Sequence, residues 1–108
     1  MKVISNIKRF VKYWVLVTKL HRASRKADKL QQATGITHFV VKGRKSGLLV
    51  LTRKQYRDRC TKGDARPVTS EQMYQGCFYC TRWYNKNTPT PQEVIDRKRR
   101  IYLASQGL

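Results

Sequence analysis

A chain of 108 residues that is 40% hydrophobic and 10% aromatic is long enough for one small core and too apolar for a disordered polypeptide. Its 24 Lys/Arg against six Asp/Glu give a net charge of +18, far beyond the roughly 2–8 charges that keep a small domain soluble. So few acids, with no catalytic pairing and no cofactor motif, argue against an enzyme and for a counter-charged partner, nucleic acid before an anionic membrane.

The charge is uneven: residues 1–63 hold 17 Lys/Arg against Asp28 and Asp58, and residues 64–108 hold seven against four acids. Residues 2–33 contain neither Gly nor Pro and read as one long helix, or as two with a break near His21. Val3, Ile7, Phe10, Trp14 and Val17 recur at three- and four-residue steps and mark one helical face. Leu20, Ala23, Ala27 and Leu30 continue it with smaller side chains. Ile4, Val11 and Val15 widen it at the N-terminal end, which makes that end the expected better-buried half, against this domain or a partner. Phe10 and Trp14 beneath Lys and Arg also fit an interfacial helix, the less favoured reading. The run Phe10–Val17 is interrupted by Lys12, too short to span a bilayer, and without a small-residue cleavage site.

Gly35 stops the helix, since glycine tolerates the left-handed conformation that follows a last turn. Ile36–Val41 and Leu48–Thr52 are β-branched or large and apolar, and the basic turn Gly43–Gly47 joins them into a hairpin. One hairpin face carries Phe39, Val41, Leu49 and Leu51; the other carries Ile36, His38, Val40, Leu48 and Val50. Both faces therefore need cover, or the hairpin joins a larger sheet. Thr52 and Gln55 match a capping box that opens a short helix from Arg53 to about Cys60. Residues 65–75 read as a polar linker with at most one helical turn at Ser70–Tyr74. Gly76–Tyr84 reads as an aromatic loop and Asn85–Thr90 as a further loop. Thr90-Pro91-Gln92-Glu93 predicts a capped helix start. Val94, Ile95, Ile101 and Tyr102 form the apolar stripe of the helix that follows, and Arg97–Arg100 form a helical cationic band, either a solvated face or a phosphate contact that adds to the same basic field.

Ala27-Asp28-Lys29-Leu30, Thr34-Gly35, Phe39-Val40-Val41 and Leu51-Thr52-Arg53-Lys54 together resemble a type of short basic protein. Such proteins, of no established function, are encoded by gut-dwelling bacteria, their phages and their mobile elements. Cys77-Phe78-Tyr79, Thr90-Pro91, Glu93, Arg97 and Tyr102 resemble the C-terminal part of similar proteins. The resemblance implies a habitat and no activity.

Three cysteines are an odd number with no secretion signal before them, which points to a reducing compartment, the cytoplasm or the interior of a virion. Cys77 and Cys80 have the spacing that lets two thiolates share zinc, with Cys60 and either His38 or His21 as helpers. The alternatives are a redox pair and, favoured over both, small buried thiols packed beside Phe78 and Trp83. No cofactor is otherwise expected, and both histidines are taken as structural.

The candidate phosphate contacts are Lys42, Arg44 and Lys45 on the hairpin turn, Arg53, Lys54 and Arg57 beside Tyr56, and Arg22, Arg25, Lys26 and Lys29 on the first helix. Tyr56 and Trp83 are either base-stacking rings or core. The expectation is a single α+β domain over 1–108: a long N-terminal helix (1–33) free to protrude, a β-hairpin, a short helix, an aromatic loop within a 61–90 linker, and a C-terminal helix. Its expected function is non-enzymatic nucleic-acid binding through charge and shape, RNA ahead of DNA because no helix-turn-helix spacing is present. The rival is a structural component of a larger assembly, a virion or ribonucleoprotein, with protein neighbours over the apolar helix.

Overall fold

Without a helix breaker before Gly35, Lys2–Thr34 forms one continuous helix, α1, with no interruption at His21. The computed structural model describes residues 2–43, 47–61, 69–83 and 88–108, without the side chains of 2–6, 60 and 61. At about 1.5 Å per residue α1 is about 50 Å long and sets the 48 Å long axis of the molecule. Gly35 ends it with φ at 72°, its N–H bonding the Gln31 carbonyl at 2.7 Å.

The hairpin has the facing that alternation predicts, except that Ile36 falls before the first strand and is exposed. β1 (His38–Lys42) and β2 (Leu48–Thr52) are antiparallel, with Phe39 opposite Leu51, Val40 opposite Val50 and Val41 opposite Leu49. The Gly43 N–H bonds the Gly47 carbonyl at 2.8 Å and closes the turn. A Cβ on Gly43 would meet Leu49 Cγ at 3.1 Å, so a larger residue there would crowd the hairpin.

Where the sequence reads as an aromatic loop, Tyr79–Cys80 instead forms a third strand, β3, on the free edge of β1. Two residues are too few to leave an alternating pattern. The pairing is carried by backbone bonds from Phe78 N–H to the Val40 carbonyl (2.8 Å) and from Thr81 N–H to the His38 carbonyl (3.1 Å). β1 thus becomes the central strand, and His38–Val41 are all buried because both sheet faces are covered.

Two layers of helix do the covering. On one face, Leu16, Leu20 and Ala27 of α1 pack with Val40, Tyr102, Leu48 and Val50. On the other, Phe39 and Val41 pack with Tyr56, Met73 and Tyr74. Those come from α2 (Arg53–Thr61) and α3 (Ser70–Gly76), each opened by a capping box. The Thr52 box is the predicted one, with Gln55 N–H on Thr52 Oγ1 at 3.3 Å and Thr52 N–H on Gln55 Oε1 at 3.0 Å. The second, Thr69 with Gln72 at 3.2 and 2.9 Å, lies in what reads as a linker, and the Thr-x-x-Gln spacing there is its sequence signal.

The last helix, α4 (Gln92–Ser105), starts one residue later than predicted. Pro91 is extended, with ψ at 145°, and takes the cap position. Thr90 is buried and its hydroxyl donates to the Cys80 carbonyl, tying α4 to β3 rather than capping. The buried line of α4 is Val94, Lys98 and Tyr102, at four-residue steps. Ile101, predicted in that stripe, is 53% exposed, whereas Lys98, predicted in the cationic band, is only 3% exposed. Lys98 Nζ donates to the carbonyls of Tyr74 (2.6 Å) and Cys77 (2.9 Å), and lies 5.6 Å from the Trp83 ring centroid. Carbonyls at a helix end lack intrahelical donors, and this lysine supplies one to the end of α3.

The largest departure from expectation is in α1. Among the described side chains its N-terminal part is the more exposed one: Ile7, Phe10, Val11, Trp14 and Val15 all lie on the surface, while Val3 and Ile4 of the predicted stripes fall outside the described side chains. The half that packs is Leu16–Ala27.

Candidate nucleic-acid interface

The heptad positions of α1 decide what its charges can do. Leu16, Leu20, Ala23 and Ala27 follow one another at steps of four, three and four residues and form the line that meets the sheet. Leu16 belongs to none of the predicted stripes, although this spacing is the signal for it. Lys19, Arg22 and Lys26 each immediately precede a member of that line. One residue is a rotation of about 100°, so these cations stand a little over a quarter turn round from the sheet. Lys8 and Lys12 extend the row toward the N-terminus and Lys29 toward the C-terminus. The six recur at steps of four, seven, three, four and three, and all are exposed. No acid interrupts them. Asp28, the sole acid of residues 1–34, accepts a hydrogen bond from Tyr79 Oη at 2.6 Å. Burial and that bond push the Tyr79 phenol above its ordinary range, so the pair is a neutral phenol held by a carboxylate.

The predicted contacts therefore divide. Arg22, Lys26 and Lys29 belong to this row. Arg25 lies beside it and lines a cleft of about 320 Å³ between α1 and α4, with His21, Gln92 and Arg99. Lys54 and Arg57 are exposed on α2, across the sheet from α1. Lys42 is exposed at the end of β1, and its carbonyl accepts from Arg59 Nη2 at 3.2 Å. Arg44 and Lys45 fall outside the described residues. Arg53 is engaged within the protein, its Nη2 donating to Tyr74 Oη at 2.9 Å and its Cζ 5.7 Å from that ring's centroid.

Tyr56 is core, and Trp83 is half-buried at the edge of the same cluster. Tyr56 is buried against Phe39, with ring centroids 5.4 Å apart. Trp83 packs edge-on to Tyr74 at 5.9 Å. Among the described residues the exposed aromatics are Phe10, Tyr13 and Trp14 of α1.

Cys77 and Cys80 are both buried free thiols. A hydrogen bond from Cys77 to Cys80, with burial, pushes the Cys77 thiol far up. The same bond, with help from Thr90 and Lys98, draws Cys80 down against the effect of burial. Cys80 Sγ lies 3.3 Å from Thr90 Oγ1, and Cys77 Sγ lies 3.4 Å from the Tyr74 carbonyl that Lys98 also bonds. Of the other ligands considered for zinc, His38 Nδ1 is 2.7 Å from the Ile36 carbonyl and His21 is on the surface of α1. The Cys60 side chain is outside the described set. Among the described residues no three His, Cys, Asp or Glu side chains are grouped to hold a metal ion.

Comparison with protein-family models, with curated proteins and with solved structures finds no match to this chain.

Proposed function

We propose that the protein is a non-enzymatic nucleic-acid-binding protein whose main contact is the cationic row of α1, reading backbone charge and shape rather than base sequence. The observation that carries this reading is the row itself: six exposed cations at helical spacing with no acid among them. From Lys8 to Lys29 it runs about 30 Å, and adjacent members are about one turn, or 5–6 Å, apart except across the seven-residue step. Aligned charges of one sign repel in a free protein and gain most against a polyanion of regular spacing. RNA is placed ahead of DNA because no recognition-helix arrangement accompanies the row among the described residues.

If six phosphates are neutralised, log affinity should fall with log salt at a slope of about −5 on duplex DNA and about −4 on a single strand. Replacing Lys19, Arg22 and Lys26 together with Ala should flatten that slope by about 2 to 3 units, for all sequences alike. Arg44→Ala with Lys45→Ala is the parallel test of the hairpin turn. Absence of binding to any nucleic acid at low salt would sink the proposal. An unchanged slope in the triple variant would move the contact to the hairpin and α2.

A further inference from the structure

Ile7, Phe10, Val11, Trp14 and Val15 are 55, 61, 54, 54 and 48% exposed, a contiguous apolar surface on one stretch of helix. Leu16 follows Ile7 by about two and a half turns, so this surface points away from the line that meets the sheet. Phe10 and Trp14 stand side by side on it, edge to face, with centroids 6.1 Å apart. Further along α1 the outward side changes character: Thr18 is followed by Arg22, Arg25 and Lys29, all exposed. The outer surface of the helix is thus apolar over residues 7–15 and cationic over residues 22–29.

We propose that this outer face of α1 seats on an anionic lipid surface, the helix lying in the plane of the interface. Three occupants can be compared by their chemistry. A nucleic acid supplies phosphates for the cations but no counterpart for Ile7, Val11 and Val15. A second copy supplies apolar surface but brings another +18 charges with it. A bilayer of acidic lipids supplies both, the acyl–headgroup boundary for the aliphatic and aromatic side chains and the headgroups for Arg22, Arg25 and Lys29. Among the described residues no helix is long and apolar enough to cross a membrane, so contact is from one side only. The inference does not rest on nucleic-acid binding: Arg22 and Lys29 belong to both faces, but Phe10 and Trp14 lie outside the cationic row and can be removed without touching it.

The test is flotation of the purified protein with vesicles of phosphatidylcholine alone and of phosphatidylcholine mixed with phosphatidylglycerol. The protein should float with the mixed vesicles and not with the neutral ones. The pair Phe10→Ser and Trp14→Ser should weaken that binding by about tenfold or more, with thermal unfolding unchanged. Lipids brominated in their acyl chains should quench tryptophan emission, and Trp14→Phe should abolish the quench. Equal flotation of wild type and double variant, or no quench, would mean attraction by charge alone and would overturn the proposal. So would a dimer that the double variant dissociates. Loss of nucleic-acid binding in the double variant with vesicle binding intact would instead make Phe10 and Trp14 a base-stacking platform.

Discussion

The two halves of α1 have opposite fates. Residues 7–15 are the richer in large apolar side chains, and they are exposed; residues 16–30, with five cations and two alanines, hold the helix to the sheet. Burial is decided by where a side chain falls around the helix relative to Val40, Leu48 and Val50, not by how many apolar side chains a segment contains. α4 repeats the point: among four consecutive cations, Lys98 alone is buried, because it lies midway between Val94 and Tyr102. An apolar stripe read from sequence therefore identifies a face, and only the neighbouring element determines whether that face is core or contact surface.

The contrast between the halves is broken most directly at Leu20, which is 6% exposed in the α1 core. Leu20→Ala should cost about 2–5 kcal/mol, measured by urea unfolding. A loss under about 0.5 kcal/mol, the range of ordinary surface changes, would mean that the second half of α1 is not docked at all.

Lys98 gives the next largest effect. Lys98→Met keeps the stem and removes the donor from the carbonyls of Tyr74 and Cys77. Loss of hydrogen bonds to buried acceptors should cost about 2 kcal/mol, while Arg97→Met and Arg100→Met should be nearly silent. Equal costs at all three positions would return Lys98 to a solvated band.

Tyr79 sharpens the comparison from the docked side, since it clasps Asp28 of α1 to β3. Its phenol is raised by burial first and then by the Asp28 bond, so the folded state keeps a proton that the unfolded chain gives up. The associated stability is complete below the ordinary phenol value of about 10 and is lost as pH climbs from there through the higher folded value. Tyr79→Phe should cost about 1 kcal/mol at neutral pH and make the alkaline fall in stability shallower. Tyr102, raised by burial, should retain part of that fall. An alkaline limb identical in the variant would show that this clasp does not couple to folding.

Much of the scaffold was legible because local chemistry and tertiary structure agree there. Gly35, the Phe39/Leu51 and Val41/Leu49 facing and the Thr52–Gln55 box all follow from patterns within a few residues. β3 was not legible: two residues carry no period, and their place beside β1 is set by long-range packing. Thr90 misled for a related reason. Its sequence fits a cap, but a buried hydroxyl takes whichever acceptor lies nearest, and that is the Cys80 carbonyl. For the candidate interface, Arg22, Lys26 and Lys29 were readable as cations, but the row became visible only once Leu16, Leu20 and Ala27 showed which way α1 is turned. At Arg53, Tyr56 and Trp83 basic and aromatic residues alternate, but the pattern does not tell that Tyr56 is buried, Trp83 half-buried and Arg53 bonded to Tyr74.

The smallest expected effect is the most informative about α1. Trp14 is large and aromatic, and in a core its truncation would cost about 3–5 kcal/mol. Here it is 54% exposed, with Phe10 and Tyr13 as its ring neighbours at 6.1 and 6.4 Å, both on the same exposed stretch. Trp14→Ser should therefore change the unfolding free energy by no more than about 0.5 kcal/mol. The helix continues through that position on backbone hydrogen bonds that serine retains, and no sheet residue loses a partner. Measured beside Leu20→Ala under the same denaturant series, the ratio of the two losses reports how differently the halves are used. A Trp14→Ser loss as large as that at Leu20 would show the N-terminal half to be folded against something within the protein. It would remove the outward face on which lipid contact depends.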